Sequence, residues 1–123
     1  MPTRSPPRFT PRRLLAVFWT LAIVVALSLP GSSVPGQNWI AFDKVVHALM
    51  FLGFGVLWMS TLRRSLEARA AWVLVFGLAF AGLTEMYQGF LPFDRTPDLL
   101  DALADAAGLV LGVGCFFVQR RLR

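Results

Sequence analysis

Charged side chains are scarce in this sequence. They form 15% of the 123 residues, whereas hydrophobic residues form 56%. An ordinary soluble domain carries about 25% charged residues. The shortage excludes a water-bathed globule and points to a chain whose sides rest in lipid. Cysteine is nearly missing: Cys115 is the single one, so an intrachain disulfide and a CxxC metal site are both excluded. It lies in the apolar run Gly114-Cys115-Phe116-Phe117 and reads as a small buried thiol. Histidine is as rare, with His47 alone. The length suits one domain. The net charge of +5 would suggest nucleic acid in a soluble protein. Here the basic residues gather at the ends of apolar runs, so they signal membrane topology and no nucleic-acid partner is expected.

Four apolar runs follow one another. Residues 1–12 form a basic, Pro-rich segment, read as a disordered cytoplasmic tail, and residues 13–123 form the membrane domain. The first span is expected at about 13–31, closed by Pro30 and Gly31. Its basic start and apolar middle also resemble a signal peptide, but no clear small-x-small cleavage site follows. Arg12-Arg13 lacks the preceding Ser or Thr of a twin-arginine signal, since Pro11 stands there. A loop rich in Gly, Ser, Pro and Asn leads to a second span at about 44–62. After a loop at 63–69, the third span is expected at about 70–90 and the fourth at about 98–119.

Length decides how the last two spans are placed. The uncharged stretch Ala70–Thr84 and the uncharged stretch Ala106–Gln119 are each too short to cross, because a spanning helix needs about 20 residues. The third helix must therefore carry Glu85 and Gln88 in its last turns. The fourth must begin near Asp98 and take Asp101 and Asp105 into the membrane. The fold expected is all-α, an integral membrane four-helix bundle.

Basic residues orient it. Arg4, Arg8, Arg12 and Arg13 precede the first span, Arg63, Arg64 and Arg69 separate the second and third, and Arg120, Arg121 and Arg123 close the chain. The other two connections hold only Lys44 and Arg95. Such a bias in short loops places the basic side in the cytoplasm. The N-terminus and the C-terminus are then both cytoplasmic, and the remaining polar residues face outward.

Helical spacing gathers those polar residues. Asp43 and His47 are four apart and share a face, as do Glu85 and Gln88, three apart. Asp98, Asp101, Asp105, Gly108 and Gly112 step by three and four, giving one stripe that is acidic in its outer half and glycine in its inner half. Gly108 and Gly112 are read as helix-packing residues, since small residues let membrane helices approach closely. Asp105 lies about 10 Å deeper than Asp98 at 1.5 Å per residue. An ionised carboxylate in mid-membrane costs about 2.5–3.5 kcal/mol on insertion scales. These groups therefore need counter-charges, a bound cation or protons. Interhelical hydrogen bonds average about 0.6 kcal/mol, so gluing the helices is a weak reason to keep them. Intramembrane ionisable residues are functional candidates. The ligand-binding candidates are Asp43, Lys44, His47, Glu85, Gln88, Arg95, Asp98, Asp101 and Asp105. His47, Glu85, Asp101 and Asp105 are the candidates for catalysis, and Glu85, Asp101 and Asp105 the candidates for holding a divalent cation. Asp94 reads as a solvated loop charge, Trp39, Trp58, Trp72 and Tyr87 as belt or packing residues, and Phe51 and Phe54 as packing.

The ordered set Asp43-Lys44-x-x-His47, Glu85-x-x-Gln88, Arg95, then Asp101-x-x-x-Asp105-x-x-Gly108-x-x-x-Gly112 resembles the VanZ-like family over about residues 40–115. No single piece is specific; the order at the ends of successive helices is. The family's named member is associated with teicoplanin resistance, so the resemblance implies an envelope-related protein of the bacterial inner (cytoplasmic) membrane. It implies no particular reaction. The family pattern usually has Asn where this chain has Asp105.

Two functions fit these residues. One is binding or modulation of an envelope lipid or lipid-linked cell-wall precursor, with Arg95 and Lys44 on phosphate or carboxylate and the carboxylates on hydroxyls. The other is a membrane-embedded hydrolase or transferase acting on a lipid phosphate, with His47 as general base or a divalent cation activating water. No serine or cysteine lies near the cluster, and Thr84 and Thr96 are the weak alternatives as nucleophiles. A proton or ion pathway does not fit, because the cytoplasmic halves of the spans offer no matching polar relay.

Overall fold

The computed structural model describes residues 9–29, 40–92 and 97–123. Four helices account for nearly all of them: α1 Pro11–Ser28, α2 Ile40–Thr61, α3 Leu66–Phe90 and α4 Leu99–Arg121. No strand occurs among the described residues. All four helices are long and apolar enough to cross a membrane. The shortest, with 18 residues, spans about 27 Å at 1.5 Å per residue, close to a hydrocarbon core of about 30 Å.

Local chemistry sets the ends. α1 starts at Pro11, ahead of its apolar run, because Thr10 caps it by accepting the Arg13 amide and proline fits the first turn. α2 starts at Ile40, so Asp43 is inside the helix and one turn from His47. α3 starts at Leu66, capped by Ser65, so Glu67 and Arg69, expected in the loop, are helical. Asp98 caps α4, its carboxylate accepting the Leu100 amide at 2.9 Å.

The helices alternate in direction. Gln88 on α3 reaches the Leu27 carbonyl near the end of α1, and Glu85 near the end of α3 meets the start of α4 at Asp98. α2 and α4 therefore run parallel, and they form the closest pair. A Cβ on Gly108 would stand 1.9 Å from the Ala48 carbonyl oxygen, and one on Gly112 would stand 2.3 Å from that of Leu52. From the α2 side, a Cβ on Gly55 would meet the Leu109 carbonyl at 3.1 Å. The backbones touch along a seam that admits no side chain at Gly108 and Gly112.

α3 closes one flank, with Gly77 against the Leu109 side chain. α1 packs on α2 and α3. Trp19 Nε1 donates to the Met50 carbonyl at 2.9 Å, and Trp58 Nε1 donates to Thr20 Oγ1 at 3.0 Å. The core is apolar: Ile23, Leu27, Phe51, Phe54, Met59, Val73, Leu109 and Val113 are buried together. Phe51 and Phe54 are packing residues, with Phe80 beside both rings at centroid distances of 5.6 and 5.4 Å. Outside, Val25, Val75, Leu83 and Leu111 are each more than half exposed, the surface expected of helices set in lipid. Cys115 is a correction to the sequence reading, being exposed rather than buried. It lies three residues from Gly112, off the buried stripe of α4, among the lipid-facing positions.

The seam makes a direct prediction. Gly108→Leu forces α2 and α4 apart and lowers thermal stability in detergent by at least the about 1–3 kcal/mol typical of overpacking. Gly114→Ala, where a Cβ meets nothing within 4 Å, does not lower the melting temperature. Equal effects of the two would refute the seam.

Candidate functional site: a carboxylate cluster at one end of the bundle

The start of α2, the end of α3 and the start of α4 come together at one end. The stripe on α4 is buried as its spacing predicts: Asp101, Asp105, Gly108 and Gly112 all face inward. His47, Glu85 and Gln88 are buried with them.

Lys44 is surrounded by acid. Its ammonium donates to Asp98 Oδ2 at 2.7 Å and to Asp101 Oδ1, and it lies 3.5 Å from Asp43 Oδ2. Three carboxylates thus surround one partly buried ammonium. His47 lies deeper, 2% exposed. Its Nδ1 is 2.8 Å from Asp105 Oδ1, and its Nε2 is 3.9 Å from both Asp43 and Asp101. The carboxylate at Asp105 therefore fixes the ring, while the other nitrogen faces more negative charge. Glu85 uses Oε2 to accept the Asp98 amide at 3.1 Å, tying the end of α3 to the cap of α4. Glu85 Oε1 and Asp105 Oδ2 are buried without a hydrogen-bond partner among the described residues.

Other expected residues serve elsewhere. Gln88 donates from Nε2 to the Leu27 carbonyl at 3.4 Å, joining α3 to α1. Thr84 donates to its own helix at the Ala81 carbonyl. Tyr87 pairs its hydroxyl with Ser28 Oγ at 2.9 Å. Trp58 is a packing residue through Thr20, and Trp72 stacks on Phe76. Arg95, with Asp94, Thr96 and Trp39, lies outside the described residues.

Two groupings could each surround a metal ion, with ligand atoms within 4.8 Å of one another: Asp43, His47 and Asp101, and His47, Glu85 and Asp105. The set expected from the sequence, Glu85 with Asp101 and Asp105, is not one of them among the described residues. Spacing along one helix paired the two aspartates; it gave no sign that His47 from α2 would reach between them. The facing positions Ala48, Leu52 and Gly55 were missed too, because it is their backbone that meets α4.

The opposite end of the bundle is basic. Arg69 donates to the Arg64 carbonyl at 2.9 Å and reaches the Met59 carbonyl at 3.4 Å, capping the end of α2. Arg121 pairs with Glu67. Arg64 lies over the Trp72 ring and Arg120 over Phe116, at 5.2 and 5.3 Å. A groove of about 660 Å³ runs between α1, α2 and α3, lined by apolar residues together with Thr20 and Arg64. It shares no residue with the carboxylate cluster.

Four apolar helices, basic at one end and acidic at the other, define a multi-pass helical membrane protein with a buried ion-pair network. The family model described as VanZ/LLP1 matches residues 3–120, and the chain belongs to that family. No curated protein and no solved structure matches it.

The network predicts a compensation. Lys44→Met strips Asp98 and Asp101 of their shared cation and lowers the melting temperature. Adding Asp101→Asn recovers more than half of that loss in thermal unfolding. A double variant no more stable than Lys44→Met alone would show that the three groups do not act as a unit.

Proposed function

We propose that the protein sits in the bacterial inner membrane with its carboxylate cluster facing outward, where it binds or modulates the polar head group of an envelope lipid or lipid-linked cell-wall precursor. One observation carries this reading. The cluster's only described ammonium is already shared by Asp98 and Asp101, whereas two buried carboxylate oxygens lack partners. The unused capacity is for accepting hydrogen bonds or binding positive charge. Sugar hydroxyls and ammonium groups of a head group match it, and a phosphate would need an added cation. The arginines at the other end support the outward orientation through the positive-inside bias. Reporter fusions after residues 37, 66 and 95 measure that orientation, with outside, cytoplasmic and outside readings expected.

Binding is measured with a polyprenyl-phosphate-linked sugar and the purified protein in detergent. Glu85→Gln and Asp101→Asn are expected to weaken binding by tenfold or more, which is about 1.4 kcal/mol. Glu67→Gln, at the opposite end, leaves it unchanged. Equal affinities across all four proteins would discard the reading. Family kinship adds teicoplanin resistance as a cellular readout, measured as the change in susceptibility on deletion.

A second reading, a hydrolase or transferase acting on a lipid phosphate, draws on His47. A carboxylate holds one imidazole nitrogen at 2.8 Å, the arrangement that orients a general base. Turnover of a lipid phosphate, lost in His47→Gln, is its measure.

A further inference from the structure

Among the described residues, Glu85 Oε1 and Asp105 Oδ2 are the two buried side-chain oxygens without a partner. Their residues are 7% and 0% exposed, so water does not satisfy them from outside. Their sister oxygens are occupied, by the Asp98 amide and by His47 Nδ1. A buried carboxylate oxygen left bare is costly, and most so in a low-dielectric setting. Both bare oxygens belong to residues that, with His47, bring their ligand atoms within 4.8 Å of one another. Donors about 2.1 Å from a tetrahedral ion stand about 3.4 Å apart, so small side-chain rotations close this group around one ion.

We propose that His47, Glu85 and Asp105 bind one divalent cation of the zinc–manganese kind. Two carboxylates and a neutral imidazole cancel a charge of two, which removes the net charge that makes acidic groups costly in a membrane. The mixture of one nitrogen and two oxygen donors suits zinc or manganese better than the all-oxygen shells preferred by magnesium and calcium. The neighbouring grouping of Asp43, His47 and Asp101 is a poorer host. Both of its carboxylates already face the Lys44 ammonium, Asp43 at 3.5 Å and Asp101 in direct contact. A cation placed there would be repelled by Lys44. Three protein ligands leave a coordination position open. Resting on the proposed head-group function, the ion narrows the ligand to one carrying a phosphate, whose oxygen takes that position.

The test uses the full chain in detergent, stripped with a chelator and titrated calorimetrically with Zn²⁺ and with Mn²⁺. One ion per chain is expected, together with a melting temperature that rises with ion concentration, because a ligand of the folded state stabilises it. Glu85→Gln and Asp105→Asn should each lower affinity at least tenfold and abolish the thermal shift. Gln and Asn each keep an oxygen for the contact already made, with the Asp98 amide or with His47 Nδ1, so the metal-free variants should still unfold cooperatively. Asp43→Asn should change affinity less than threefold. Absence of binding by the parent chain overturns the proposal, as does binding that survives Glu85→Gln and Asp105→Asn or depends on Asp43. The polyprenyl-phosphate assay, run with and without chelator, keeps the two ideas apart. Head-group binding without any bound ion defeats the cation site alone, and ion binding without head-group binding defeats the head-group function alone.

Discussion

The approach of α2 and α4 governs the rest of the molecule. Where Gly108 and Gly112 lack side chains, the Ala48 and Leu52 carbonyls move into the space a Cβ would fill. Only at that separation can His47, one residue before Ala48, reach Asp105 at 2.8 Å. The same approach lets Lys44, one turn nearer the end, reach Asp98 and Asp101. A wider seam would leave each of these groups charged and unpaired. The glycines in the inner half of the stripe thus set the electrostatics of its outer half.

The acidic residues are balanced in layers. At the end of the bundle, the Lys44 ammonium serves three carboxylates. One turn deeper, His47 takes its place, but two oxygens remain bare there. Removing one partner of a buried charge pair costs more than the pair contributes, so such a network tolerates concerted changes better than single ones. It also ties three helices together, since the Asp98 amide on Glu85 fixes the cap of α4 to the end of α3.

Much of this architecture was legible in the sequence, for identifiable reasons. Uncharged stretches too short to cross forced Glu85, Gln88, Asp101 and Asp105 into the helices, and those helices do carry them. The step of three and four from Asp101 to Gly112 gave the buried face of α4. What spacing could not supply was contact between helices. That α2 and α4 lie side by side and parallel, though not consecutive, depends on which faces fit. This fit decided that His47 meets Asp105, that Lys44 lies among three carboxylates, and that Gln88 reaches α1. Cys115 was misread because an apolar run looks the same facing a core or facing lipid.

The parallel seam joins two helices that a ribosome does not make in succession. α2 enters the membrane carrying Asp43, Lys44 and His47 while α4, which bears their main partners, is still to be synthesised. Through that interval the polar start of α2 has no Gly108 face to receive it. α3, arriving next, brings Glu85 but not the cap that Glu85 binds. The polar end of α2 therefore cannot be completed until α4 is in place beside it.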